Sequence, residues 1–288
     1  MNKQQLKSTG IIFEVREFCL HDGPGMRTTV FFKGCPMRCA WCHNPEGLSA
    51  NIQLLVNQSI CQHCGACREV CQNPQQCVVC GTCVTVCPQG CRRLCGRSIS
   101  AEDLAAELRK NEPFFKKYDG GITFSGGEPL AQIDFLEALA GLLHPIHLTL
   151  ETSGYASSDV YQRAVQSVDF VFQDLKHPDP VQHRRYTGVE LEPVLANLNW
   201  LKASGRPFTV RIPIIPGVND TPETLDRFAE LLEGRSGLTR VELLPYHQTA
   251  GAKYALLGLK YEPPFDPARP LAINLVPFEE RGIPCRIN

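Results

Sequence analysis

The chain has 288 residues, and its 29 lysines and arginines nearly balance 30 aspartates and glutamates. That balance leaves no global field to draw the chain to nucleic acid or an anionic bilayer, and no stretch reaches the roughly 20 apolar residues that span a membrane, so neither partner is expected. Fifteen cysteines, behind an opening segment MNKQQLKSTGIIFEV that lacks the apolar core of a secretory signal, predict a cytoplasmic protein whose cysteines serve metal or redox chemistry rather than disulfides.

In chain order, an extended segment over 11–15 is expected to pair at the edge of a sheet. Asp22-Gly23-Pro24-Gly25 then leads into a strand over 28–33, and Cys35, Cys39 and Cys42 follow at C-x3-C-x2-C spacing. Three thiolates can hold three irons of a four-iron cluster and leave the fourth open, which is what a metal needs in order to bind and polarise a ligand. The alternative is a zinc knuckle, against which stands the usual zinc pattern of four ligands in two separated pairs.

From Cys61 to Cys95 the composition changes, and ten of the fifteen cysteines fall there. Two repeats can be read: Cys61-x2-Cys64-x2-Cys67-x3-Cys71, then Cys77-x2-Cys80-x2-Cys83-x3-Cys87-Pro88. They match the bacterial ferredoxin run, in which the fourth cysteine of each repeat serves the other cluster. Carried over, Cys61, Cys64, Cys67 and Cys87 hold one cluster and Cys77, Cys80, Cys83 and Cys71 the second. Gln72 stands where a proline is expected, and only the five residues from Gln72 to Gln76 join the repeats. Cys91 and Cys95 therefore stay open as substitute ligands. Zinc stapling of a small module without a core is the alternative for the block. The chain so divides into 1–51, an insert over 52–97, and 98–288.

Beyond the insert, a helix is expected from Ser100 to Lys110, with Ser100 as N-cap, Asp103 three residues later, and Leu104 and Leu108 on one face. Phe135, Leu136, Leu139, Leu142 and Leu143 stripe another. With the first strand, runs over 121–124, 146–150, 168–175, 208–212 and 239–244 make six strands alternating with helical segments. This is the pattern of a partial (β/α)6 barrel of the α/β class with a mainly parallel sheet. A polar motif follows each strand: the three cysteines, Ser125-Gly126-Gly127-Glu128-Pro129, Glu151-Thr152-Ser153-Gly154, Asp174-Leu175-Lys176, Pro216-Gly217-Val218-Asn219-Asp220 and Pro245-Tyr246-His247. Active sites of parallel α/β folds assemble at those carboxyl ends.

The cysteine spacing resembles the signature of the radical S-adenosylmethionine (SAM) enzymes. With Asp22 to Gly25, Trp41-Cys42-His43-Asn44-Pro45-Glu46 and the rim motifs in that order, the chain from Ile11 to Ile287 resembles the glycyl-radical-enzyme activating enzymes, such as the pyruvate formate-lyase activase. The insert resembles that of the longer activases. The resemblance implies a catalytic four-iron cluster on Cys35, Cys39 and Cys42 whose free iron chelates SAM. It implies that Gly126, Gly127, Glu128, Asp174 and Lys176 hold SAM, with Glu128 at its ammonium and Lys176 at its carboxylate. Trp41 and His247 line the cofactor, and Glu151 and Thr152 lie near its amino acid part and a monovalent cation. Asp22 and Arg211 face a glycine-bearing peptide. Two accessory four-iron clusters relay or store electrons; a glycyl radical enzyme is the protein substrate, flavodoxin or ferredoxin the donor, and the chain a monomer. Pro277 fits poorly in the last helix expected from the family, which it would kink or stop. Rival readings are a radical SAM maturase of peptide side chains, whose extra cysteines lie C-terminally where this chain has only Cys285, and an iron-sulfur electron carrier, which leaves the open site unexplained. Cys19 and Cys285 are expected as buried hydrophobes.

Overall fold

Arg-Thr-Thr-Val-Phe-Phe is buried at every position, as befits a strand covered on both faces. In the computed structural model, which describes residues 8–234 and 236–288, this is Arg27–Phe32 (β2), preceded by Thr9–Cys19 (β1). The cysteine-rich segment hangs from a separate antiparallel ribbon of Gln53–Val56 (β3) and Arg92–Cys95 (β4). It contains two one-turn helices, Ala66–Glu69 (α1) and Thr82–Thr85 (α2). The chain returns through Arg97–Ser100 (β5) to Ala101–Leu108 (α3) and Glu112–Lys117 (α4).

Repeated βα units follow: Gly121–Gly126 (β6), Ile133–Leu143 (α5), Leu148–Thr152 (β7), Ser158–Gln166 (α6) and Phe170–Asp174 (β8). Pro180–Thr187 (α7), Glu192–Ser204 (α8), Phe208–Ile214 (β9), Pro222–Leu232 (α9), Leu238–Pro245 (β10), Ala250–Leu256 (α10), Val276–Glu279 (α11) and Cys285–Ile287 (β11) complete the chain. The sheet order is β11-β10-β9-β8-β7-β6-β2-β1-β5. From β2 to β11 neighbours are parallel, so their carboxyl ends share one rim. Phe32, Phe124, Phe135, Leu139, Leu150, Val210 and Phe228 belong to the core beneath it. No helix among the described residues is long and apolar enough to cross a membrane.

All six expected strands are present, in sequence order across the sheet, with corrected ends. The third runs over Leu148–Thr152 rather than 146–150, because hydropathy stops reading a strand where polar side chains begin to line the rim. The segment over 11–15 is not an edge: β1 pairs with β2 on one side and β5 on the other, and β5 takes the edge. Ser100 caps α3, its Oγ accepting from Asp103 N at 3.1 Å, but the α-helix ends at Leu108 and a 3-10 turn follows. Leu142 leaves the apolar stripe of α5 and is 42% exposed. Pro277 causes no kink, since α11 is a single turn with the proline in its first turn, where a missing N–H costs nothing. The first segment of the expected division, 1–51, begins with seven residues that lie outside the described ones.

Candidate active site

The loop after β2 is fixed by its backbone. Gly34 N donates to Gly47 O (2.8 Å), Arg38 N to Thr187 O (2.7 Å) and Ala40 N to Tyr186 O (2.8 Å). Met37 is buried in the core, and Trp41 packs with Tyr186 and Ile215. Behind the loop, buried Lys33 donates to Glu46 O (2.6 Å) and Gln53 Oε1 (3.0 Å); from above, Lys253 of α10 holds Asn44 Oδ1 (2.8 Å) and Glu46 Oε1 (2.9 Å). Gly126 and Gly127 let the end of β6 come against this loop, for a Cβ on Gly127 would collide with the carbonyls of Gly34 and Gly47.

Cys35, Cys39 and Cys42 open onto a cavity of about 430 Å³, the size of a small-molecule site. Every rim motif but the fifth sends residues into it: Gly126 and Gly127, Glu151 and Thr152, Asp174 and Lys176, and His247, with Trp41 from the loop. At the end of β9 the wall is Pro213, with Ile215 just beyond the strand. The Pro216–Asp220 turn instead braces the rim, Asn219 Nδ2 donating to Lys176 O (3.0 Å) and Pro213 O (2.8 Å).

Charges at the cavity are arranged rather than scattered. Burial alone would lower the Lys176 pKa, yet Asp174, whose Oδ2 lies 2.7 Å from its Nζ, and the Cys39 and Cys35 sulfurs outweigh it and hold the pKa raised. Lys176 therefore stays an ammonium. Burial, with the Glu128 charge beside it, pushes the Cys35 thiol up to about 12, and burial pushes Cys39 and Cys42 up to about 11. Three such thiols become thiolates together only where a cationic centre takes up their charge, which is the chemistry of a metal-cluster ligand set.

Two of the expected site residues have their charges occupied within the fold. Glu128 does not present its carboxylate to a ligand: it is 1% exposed, its Oε1 accepting from Leu130 N and Thr152 Oγ1 and its Oε2 from Ser153 N and Oγ. It shapes the turn after β7 instead. Arg211 does not face a peptide directly. Its guanidinium is 4% exposed, pairs with Glu151 and Glu242, donates to His21 O and stacks over Phe172. Through His21 it holds the segment carrying Asp22, whose carboxylate accepts from Thr29 Oγ1 (2.6 Å) and whose carbonyl accepts from Thr123 Oγ1 (2.6 Å). Glu151 also accepts from Ser125.

Residues the sequence reading passed over also line the cavity: His43, Ser125, Ser153 and Tyr246. His43 stacks loosely on Tyr246 and His247, ring centroids 5.7 and 6.2 Å away, and burial lowers its pKa. Its place directly after Cys42 was the available signal.

In the insert, Cys61, Cys64, Cys67, Cys87 and Cys91 line a cavity of about 250 Å³. Cys71, Cys77, Cys80 and Cys83 line a second of about 60 Å³. The two repeats are built alike: His63 and Val79 have φ of 54° and 55°, Gly65 and Gly81 have 84° and 81°, and each pair precedes a one-turn helix. Cys95 lines neither cavity; it is buried with Lys33 and Glu46 as charged neighbours. Cys285 packs half-buried against the core, while Cys19 is half-buried near Arg16 O rather than a buried hydrophobe. Among the described residues no three His, Cys, Asp or Glu side chains close around a single ion; the cysteines surround cavities instead.

The family described as the Radical SAM superfamily matches residues 29–232. The chain is 37% identical over 287 residues to the choline trimethylamine-lyase activating enzyme of Oleidesulfovibrio alaskensis, covering 91% of this chain and 92% of the relative. It is 36% identical over 277 residues to the (2S)-3-sulfopropanediol dehydratase activating enzyme of Klebsiella oxytoca, covering 88% and 87%. It is 33% identical over 282 residues to the 4-hydroxyphenylacetate decarboxylase activating enzyme of Clostridioides difficile, covering 90% and 88%. Among solved structures, a radical SAM methyltransferase from Sphaerobacter thermophilus superposes with a TM-score of 0.55 at 16% identity over all of this chain and 75% of its own, a likeness of fold alone.

Proposed function

The chain belongs to the radical SAM superfamily and, within it, to the activating enzymes of glycyl radical enzymes; on that premise we propose that it reductively cleaves SAM and takes a hydrogen from a backbone glycine of a partner glycyl radical enzyme. The observation that carries the reading is the meeting of Cys35, Cys39 and Cys42 with the Lys176–Asp174 pair in one cavity.

The three thiols, their free side toward the cavity, suit a four-iron cluster. When bound, that cluster supplies the electron for cleavage and SAM supplies the 5'-deoxyadenosyl radical. Everything else falls to the chain. Lys176 offers a fixed ammonium to the SAM carboxylate, and Asp174 keeps it charged and aimed. Gly126, Gly127 and Thr152 give the amino acid part close approach to the rim, and Glu128 fixes Thr152 and Ser153 without touching the ligand. Trp41, Ile215, Tyr246 and His247 form the less polar wall for the nucleoside and help exclude water from a reactive radical. Arg211 holds the Asp22 segment to the sheet for the incoming glycine peptide. A monovalent cation enters this reading as a competitor of Arg211 for the Glu151 carboxylate.

Residues 52–97 serve as an inserted ferredoxin-like module with two accessory clusters between the barrel parts 1–51 and 98–288. The eight expected ligands fall four to each of two cavities, Cys87 with the first repeat and Cys71 with the second, with Cys91 a fifth thiol in the larger, which supports that ligation. The chain works as a cytoplasmic monomer reduced by flavodoxin or ferredoxin.

The test is anaerobic incubation of the reconstituted, reduced protein with SAM and each glycyl radical enzyme of the host in turn. With the right partner, electron paramagnetic resonance reads a doublet that collapses when the glycine α-hydrogen is deuterium. SAM cleavage without a glycyl radical on any of them overturns the activase reading.

A further inference from the structure

The larger insert cavity has one cysteine more than a four-iron cluster uses. Cys61, Cys64 and Cys67 come from the first repeat, and two thiols, Cys87 and Cys91, complete the lining. Their sulfurs lie 3.2 Å apart. The cause is local: Gly90, at φ 59°, turns the chain back so that its N–H donates to Cys87 O (3.1 Å) and brings Cys91 beside Cys87. The two thiols differ in support. Cys87 sits on the turn after α2, half-exposed, its N–H in a long 3.4 Å bond to Val84 O. Cys91 is 5% exposed and its carbonyl accepts from Asn57 N at 2.7 Å, one step before the ribbon register begins at Val56 and Arg92. The smaller cavity has no such reserve, for the position four residues after Cys71 is Gln75.

We propose that Cys91 is an exchangeable ligand of the first accessory cluster, able to take the fourth iron in place of Cys87. This rests on the reading of the insert as an iron-sulfur module. The exchange forms one Fe–S bond as another breaks, with the proton passing from the incoming to the outgoing thiol and no change in oxidation state. The sulfurs are already in contact, so it needs no hinge.

The experiment is anaerobic reconstitution of the full chain as wild type, Cys87→Ala, Cys91→Ala and the double variant, with iron counting and electron paramagnetic resonance of the reduced clusters. With three clusters of about four irons each, wild type and both single variants should hold about 12 irons, whereas the double variant, left with three thiols as at the barrel site, should lose irons or keep an accessory cluster with an open iron whose signal shifts on adding cyanide. In Cys87→Ala one accessory signal should also shift its g-values as the ligand changes. A chain that failed to fold would lose the barrel cluster too, so a change confined to the accessory signal is not a folding artefact. A lost or cyanide-sensitive accessory cluster in Cys87→Ala alone, or in Cys91→Ala alone, overturns the exchange, as does an unaltered accessory signal in the double variant. About 4 irons in the wild type overturns the module reading and the exchange with it.

Discussion

The barrel rim and the insert hold their cysteines by opposite means. At the rim, Cys35, Cys39 and Cys42 ride on a loop fixed by backbone hydrogen bonds, with Met37 buried and Trp41 packed beside it. In the insert the only residues counted in a hydrophobic interior are Leu55, Cys91 and Cys95, and α1 and α2 bury nothing. A module so poor in core offsets little of its chain entropy by burial, and on the proposed reading its clusters close it. The comparison separates a site preformed by folding from one formed by what it binds.

The sharpest way to break that comparison is to remove the iron. After chelation under reducing conditions, limited proteolysis should cut within 58–90 on the order of 10-fold faster than in the loaded protein, since local opening no longer costs the metal-binding free energy. The barrel's cooperative thermal transition should persist. Equal protection of the insert in both states would mean it folds without clusters.

Next in size is separation of the two chemistries. Replacing Cys35, Cys39 and Cys42 together by alanine should abolish SAM cleavage and remove about four irons of about 12. The insert clusters should still be reduced by dithionite, as followed by their visible bleaching. Residual cleavage would take the catalytic cluster away from these cysteines.

Spacing made much of this legible. Cysteines four and three apart, and two like-spaced cysteine repeats, name thiols that the fold gathers at one rim cavity and two insert cavities, and six apolar runs gave the strands and hence the rim. Pairing partners were not legible. Glu128 and Arg211 look like ligand-facing charges in sequence, yet the contacts that occupy them, Ser153 and Thr152 for one and Glu242 and Glu151 for the other, lie 24 to 60 positions away. Nothing local encodes such pairs. β5 and β11 are too short, at four and three residues, for alternation to announce them. The Cys87–Cys91 contact depends on a left-handed Gly90 that sequence only permits.

A smaller effect probes how far the barrel is preformed. Glu242 is fully buried and accepts from Arg211 (3.0 Å), Arg240 (2.8 Å) and Arg286 (2.7 Å), joining β9, β10 and β11. Burial alone would raise its pKa, but the arginines outweigh it and hold it below the ordinary 4.5. A depressed carboxylate pKa stabilises the fold fully above that ordinary value, and the contribution is lost as pH falls through the folded value. Glu242→Gln should therefore cost about 3 kcal/mol at neutral pH, leaving buried Arg211 short of a partner, and the difference from wild type should shrink below about pH 4. Thermal melts of both proteins across pH check it. A pH-independent difference would assign the loss to packing instead.

The smallest expected effect concerns the passage between the two regions. Along the ribbon, Gln53 bonds Lys33 of the barrel, Leu54 next to it lines the smaller cavity, and Val56 faces Arg92, which lines the larger. Three residues of strand are about 10 Å. Along the ribbon the Cys71, Cys77, Cys80 and Cys83 cavity is met at Leu54, and the cavity that holds Cys87 and Cys91 at Arg92. Arg92 lies between them, its guanidinium 3.9 Å from Cys83 Sγ. A cation there favours the more negative, reduced form of both clusters. Arg92→Met should lower both accessory midpoint potentials by on the order of tens of millivolts, with the barrel cluster unmoved, in a redox titration followed by electron paramagnetic resonance. If only one accessory signal shifts, Arg92 belongs to that cluster alone and the two are not coupled through it. If neither moves, its charge is spent on solvent, and the insert's tuning lies in its backbone amides.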